Sequence, residues 1–172
     1  MPLKRVELHF KVGAVIHVYF DDTSDTCLSA AHDFFAPQPV KDADVFVLRA
    51  IMHDWSDKYC IQILRHLREV AAESARLIVI DRLMAYACAD DTLNSVPGAR
   101  FTAPPAPLLA NGGYSSAMSY FADIQMLELQ NGKERTVVQF QRLLEAGGWR
   151  LVHVVRSGDF FVGSGGLIAA PA

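Results

Sequence analysis

A histidine that closes a buried strand is well placed for proton chemistry, and His53 is such a residue. Ala43 to Met52 is an apolar run broken only by Asp44 and Arg49, the pattern of a strand covered on both faces. His53-Asp54-Trp55-Ser56-Asp57 follows, and Ser56 or Asp57 can cap a helix. His53 therefore stands where a strand ends and a helix begins, the edge at which open α/β sheets bind ligands. Imidazole has an ordinary pKa of about 6.5 and can accept a proton at neutral pH. Asp81 ends the next apolar run, Arg76 to Asp81, and is expected at the same edge. A carboxylate there can orient the imidazole and stabilise its charged form. Glu134, in Asn131-Gly132-Lys133-Glu134-Arg135-Thr136, is a second candidate for that role. Taken singly, each has a plainer reading: a packing histidine, a solvated turn aspartate, a surface glutamate. Trp55 reads as core or as a pocket wall.

The elements that must position these residues are legible from periodicity. Ile61, Leu64, Leu67, Val70 and Ala71 recur at three and four residues, one buried helix face. Strand, helix and strand over 43–82 make a βαβ unit, so a parallel sheet and an α/β fold follow. Before it, Val6, Leu8, Phe10 and Val12 alternate with polar residues. The phase continues to Phe20, as one long strand or as a hairpin bent near Gly13. Asp21 to Thr26 is a polar break. Residues 85–117 hold Pro97, Pro104, Pro105, Pro107, Gly112 and Gly113, too many breakers for a long element. A helix is expected over Met118–Leu129 and a second after Thr136, ended by Gly147 and Gly148. Trp149–Val155 and Phe160–Ile168 read as strands. The link between them is too short for a crossover, so they must be antiparallel.

The chain has 172 residues, 51% hydrophobic and 20% charged, which suits one domain with a real core. A net charge of −3 gives no reason to expect nucleic acid or an anionic membrane as partner. No stretch reaches the roughly 18 to 20 apolar residues of a membrane span. Cys27, Cys60 and Cys88 fit neither a zinc spacing nor an even disulfide framework, which points to a reducing, cytoplasmic setting. No metal-ligand cluster stands out.

The segments V-F-V-L-R-A-I-M-H-D-W-S-D, I-L-R-H-L-R, R-L-I-V-I-D, N-G-K-E-R-T and F-Q-R-L-L-E-A-G-G-W together resemble the C-terminal half of the plant and fungal caffeic-acid-type O-methyltransferases. The stretch A-H-D-F-F-A-P-Q-P-V is closer to the fungal members. The resemblance runs from about Ala31 to the end. It implies a partial class I methyltransferase, Rossmann-like sheet, mostly parallel with a C-terminal antiparallel hairpin. It implies S-adenosylmethionine as cofactor, a small molecule with a phenol-like hydroxyl as acceptor, no metal, and homodimers among full-length members. Carried over by position, His53 matches the general base, and Asp81 and Glu134 the acidic residues flanking it. Asp33 and Phe34 match a pair at the cofactor's adenosine end, Arg49 a basic position near the cofactor, and Met126 a methionine lining the acceptor pocket.

Two family features have no counterpart. One is the helical dimerisation domain. The other is the glycine-rich turn after the first strand, since residues 1–30 hold only Gly13. Two regions follow: 1–30, which does not resemble the family, and 31–172, the C-terminal part of a catalytic domain. The expected function is methyl transfer from S-adenosylmethionine to a small-molecule hydroxyl. The alternatives are a truncated inactive homologue and a non-catalytic binding partner of a full-length enzyme.

Overall fold

The computed structural model describes residues 5–12, 14–21, 26–41, 43–86, 88, 95–100, 104–156 and 164–172, the strands before residue 32 by their backbone alone. In chain order the elements are β1 (Arg5–Val12), β2 (Ala14–Asp21), β3 (Thr26–Ala31), β4 (Val45–Arg49), α1 (Asp57–Val70), β5 (Arg76–Met84), α2 (Ala117–Gln130), β6 (Arg135–Thr136), α3 (Val137–Ala146), β7 (Trp149–Arg156) and β8 (Ser164–Pro171). Short 3₁₀ turns at Met52–Asp54 and Gly113–Ser116 complete the set.

One sheet runs in the order β3-β2-β1-β4-β5-β8-β7, with the two-residue β6 added beside β5. The predicted βαβ unit is present: β4 and β5 are adjacent and parallel, in register from Val45↔Arg76 to Arg49↔Ile80, and α1 connects them. β7 and β8 form the expected antiparallel pair. β8 continues to Pro171, past the end expected at Ile168. Proline is tolerated there because the β5–β8 ladder stops at Leu77↔Ala169, leaving its missing N–H without a partner to fail. The open choice at the N-terminus resolves as a hairpin, with Val6↔Phe20 and Leu8↔Val18 paired and β1 running parallel to β4. The bend at Gly13, the turn at 22–25, the link at 157–159 and the expected strand start at Phe160 lie outside the described residues.

The sheet is more mixed than the resemblance implied. Parallel pairing is confined to its centre, β1–β4–β5, and to the short β5–β6 contact. The cause is the first 31 residues, which cross the edge as an antiparallel β1–β2–β3 meander instead of strand–helix units.

α1 buries Cys60, Ile63, Leu64 and Leu67; of the face expected from spacing, Leu64 and Leu67 are fully buried, whereas Ile61, Val70 and Ala71 lie partly buried at its border and Cys60 and Ile63 were not anticipated. α3 starts from a full capping box, in which the Thr136 hydroxyl accepts from Gln139 N and the Gln139 side chain accepts from Thr136 N. It buries Val137, Phe140, Leu143 and Leu144. α2 differs: only Ser119 is buried, while Phe121, Ile124 and Leu127 face outward. Trp149 lies at the core's centre. It is fully buried, edge-on to Phe46, and donates its indole N–H to Leu64 O at 2.9 Å. It therefore fastens β7 to α1 by volume and by one directed bond. Trp149→Ala should cost about 3–5 kcal/mol. Trp149→Phe, which keeps most of the apolar volume but loses the bond, should cost about 1–2 kcal/mol. Urea unfolding of both variants checks this, and equal losses would show that the bond and the packing had been misassigned.

Candidate active site

The site begins with a backbone constraint at the end of β4. Ala50 adopts φ 53, an uncommon conformation for a residue with a Cβ, and its N–H donates to Ile80 O at 3.0 Å. This turn throws the chain off the strand and into Met52–Asp54, which carries His53. Asp81 then pins the turn: its Oδ2 accepts from Met52 N at 3.1 Å. Asp81 is not the last residue of its strand, as the apolar run suggested. β5 continues to Met84, because Leu83 and Met84 pair with Arg135 and Thr136 of β6. That added pairing is what carries Glu134 beside Asp81.

His53, Asp81 and Glu134 are thus brought together. Nδ1 of His53 lies 3.1 Å from Asp81 Oδ1 and 3.4 Å from Glu134 Oε1. Both carboxylates are nearly fully buried, whereas the imidazole is 22% exposed. Neither contact has the alignment of a full hydrogen bond, so Nδ1 stands at close charge–charge distance from both carboxylates. Asp54 Oδ1 sits 3.8 Å from Nε2, and Arg82 Nε sits 3.5 Å from Glu134 Oε1. With Nδ1 turned to the carboxylates, Nε2 is the nitrogen left to accept a proton.

Burial on its own lowers the basicity of His53. Hydrogen bonding to Glu134 and the charges of Asp81, Glu134 and Asp54 outweigh it, and its pKa rises above 6.5. Burial pushes the Asp81 carboxyl up to about 6, with the Glu134 charge adding to the rise and the His53 charge opposing it. The three residues place one ligating atom each within 4.8 Å of one another, so the fold gathers a group that the sequence did not announce as a metal cluster. The same closeness is what imidazole–carboxylate hydrogen bonding requires.

The other predicted positions are more dispersed. Phe34 is a core residue, edge-on to Phe35 and Trp55, and so reaches the His53 turn only through Trp55. Asp33 is exposed, and its Oδ1 accepts from Phe35 N at 2.9 Å. Arg49 is exposed at the end of β4. Met126 is half-buried on α2, whose chain packs against the Met52–Asp54 turn. Trp55 is partly buried and packs on the core, and its buried Nε1 has no hydrogen-bond partner.

Sequence reasoning passed over Arg135, although it lies inside the quoted N-G-K-E-R-T. It is one of the largest fully buried side chains, and nothing in the type of a lone arginine signals burial. Ser56 and Asp57 were the two candidate helix caps. Ser56 holds that position, without a side-chain bond, and Asp57 pairs with Lys133 and Arg135 instead.

The chain is thus an α/β protein with a parallel-centred sheet and a histidine set between two carboxylates past its central strands. A family model described as "O-methyltransferase domain" matches residues 12–97, half of the chain. The chain is 47% identical over 128 residues to 4-O-methyltransferase 1 of Phanerochaete chrysosporium, covering 73% of this chain and 27% of that protein. Among solved structures it is similar to the mitomycin 7-O-methyltransferase MmcR, with TM-score 0.57 and 27% identity over 82% of this chain and 33% of that one. It is also similar to CalO1, a methyltransferase of calicheamicin biosynthesis in an S-adenosylhomocysteine-bound form, with TM-score 0.56 and 26% identity over 83% of this chain and 34% of that one. The chain belongs to the O-methyltransferase family. It spans about a quarter of the length of the curated relatives it matches. Among the described residues no helix is long and apolar enough to cross a membrane.

The site makes stability depend on pH. Asp81 holds its proton more tightly in the folded protein than in the unfolded chain. Its contribution is fully present below pH 3.8 and is lost as pH rises through about 6. That of His53 is fully present below pH 6.5 and is lost as pH rises through its higher folded value. Asp57 is opposite: burial raises its pKa, but Lys133 and Arg135 outweigh that, so its contribution is lost as pH falls below 3.8. Asp81→Asn should therefore flatten the Tm–pH curve between pH 4 and 6. Parallel curves for the variant and the parent protein would rule this out.

Proposed function

We propose that this chain carries the acid–base half of an S-adenosylmethionine-dependent O-methyltransferase site, with His53 as general base toward a small-molecule hydroxyl. The observation that carries this reading is the His53–Asp81–Glu134 geometry, with Nδ1 held 3.1 Å and 3.4 Å from two buried carboxylates. Such carboxylates fix the imidazole's orientation and stabilise the cation it becomes. Nε2 takes the acceptor's proton as the hydroxyl oxygen becomes the nucleophile, and the proton rests on the imidazole until solvent removes it. S-adenosylmethionine, when bound, supplies an electrophilic methyl on a sulfonium sulfur. Asp33, Arg49 and the unpartnered Trp55 Nε1 would serve its adenosine side, Phe34 would back them from the core, and Met126 would line the acceptor's side. A positioned base contributes about 10²–10⁴-fold and orientation much of the remainder. The chemistry requires no metal, so a chelator should leave turnover unchanged. A cytoplasmic setting, a homodimeric full-length form and a role in secondary metabolism belong to the same reading.

A second reading has an observation in its favour. Residues 1–30 contain no glycine-rich turn, whose backbone N–H groups normally approach the cofactor closely. A homologue that has lost activity, or one that binds a full-length enzyme without catalysis, would keep the same fold. On both readings the 172-residue chain should bind S-adenosylmethionine weakly. Tight stoichiometric binding by calorimetry would show that the first 30 residues rebuild the missing side.

In any active form, His53→Gln should stay folded and lose roughly 10²-fold or more in methyl transfer. Asp81→Asn should lose less, because it disturbs orientation and charge without removing the base. The parent enzyme's kcat/KM should rise with pH through a value above 6.5, since the proton must leave His53 before it can act. Unchanged turnover in folded His53→Gln would sink the assignment.

A further inference from the structure

The segment that delivers Glu134 is bolted to the segment that carries His53, and one side chain makes most of the connection. The Arg135 guanidinium is wholly buried. Its Nη1 donates to Met52 O at 2.6 Å and Lys133 O at 3.3 Å, and its Nη2 to Trp55 O at 2.8 Å. Nε and Nη2 both reach Asp57 Oδ1, at 3.0 Å and 2.8 Å. Met52 and Trp55 bracket His53, so the fork grips the turn on both sides of the imidazole. Around it, Lys133 N donates to His53 O at 3.0 Å and Lys133 Nζ to Asp57 Oδ2 at 2.8 Å. The seam has no slack: a Cβ on Gly132 would fall 2.0 Å from His53 O.

We propose that Arg135 is the positioning residue of this site, its planar fork holding the His53 turn at the distance at which the imidazole meets Glu134. The fork is the relevant feature. Five N–H groups in one plane can serve two carbonyls of a turn and a carboxylate together, whereas a lysine offers a compact charge with three donors. Arg135 and Glu134 are adjacent in sequence, so whatever fixes one to the turn fixes the other's carboxylate beside Nδ1. The inference rests on the reading of His53 as the base, but its test does not require activity.

The measurement is the titration of the His53 imidazole by NMR in the full 172-residue chain. The charged groups facing that ring are Asp54, Asp81 and Glu134, with Arg82 behind Glu134. Four proteins are compared: the parent, Glu134→Gln, Arg135→Lys and the double variant. Arg135→Lys should lower the His53 pKa as Glu134→Gln does, and the double variant should fall no further. A folded Arg135→Lys that titrates like the parent, or a double variant whose shifts add, would overturn the proposal and leave Arg135 a structural residue. If Arg135→Lys does not fold, Asp57→Asn decides. Asp57 is half-exposed, so its variant should fold, and loosening the fork's anchor should lower the His53 pKa by a smaller amount. An unchanged titration there overturns the proposal equally. In an active form, Arg135→Lys should lose at least tenfold in kcat with little change in cofactor KM. Absence of any turnover in the parent would count against the methyltransferase reading and leave the titration result standing.

Discussion

One imidazole nitrogen faces two buried carboxylates and has a single proton to offer them. That mismatch organises the centre of this molecule. Two carboxylates withdrawn from water cost too much to hold ionised side by side without a cation between them. The structure meets the cost in three ways at once. Asp81 keeps a raised pKa and spends its second oxygen on Met52 N. Glu134 has Arg82 beside it. His53 is made more basic than an ordinary histidine. The fold around the three groups must hold their spacing to keep that balance.

The parts of the fold that do this were unevenly legible in the sequence. β4 and β5 were readable because central strands write near-continuous apolar runs, although only β4 is buried on both faces, and α1 because a helix face turned to the core writes spacings of three and four. α3 was readable from its cap. β6 was not, because two residues carry no period, yet it is the element that brings Glu134 to Asp81 and extends β5 beyond its apparent end. The first 31 residues show the limit of alternation. It signals a strand without saying whether the neighbouring strand is parallel, and here an antiparallel meander joins a parallel centre.

The site divides in the same manner. His53 and Asp81 were visible because hydrophobic runs lead up to them, although β4 stops at Arg49 and β5 runs on to Met84, and Glu134 because its hexapeptide resembles a known one. The contacts that hold them were not. Arg135 looks like any charged residue until the fold buries it, and the left-handed conformation at Ala50 has no sequence signal, because the residue there is neither glycine nor asparagine. Positioning interactions are long-range by nature: Arg135 reaches back some eighty residues to the turn it grips. Local sequence encodes the groups that do chemistry and says little about the groups that aim them.

Two carboxylates behind one histidine also set the terms of the proposed reaction. Their charges interact little with a neutral imidazole and strongly with an imidazolium, so their stabilisation appears only as the proton arrives from the acceptor. A single carboxylate would do this less, and a fully exposed pair would be screened by water. The same charges raise the pKa of His53, so it keeps its proton to a higher pH than an ordinary histidine, and a protonated imidazole is no base. Basicity and availability are therefore in opposition, and burial is what moderates them: it lowers the pKa of His53 while the carboxylates raise it. Raising Asp81 to about 6 works in the same direction, because a carboxyl that is partly protonated below neutrality pulls less on the imidazole there. The site is thus tuned by how deeply it is buried as much as by which residues it contains.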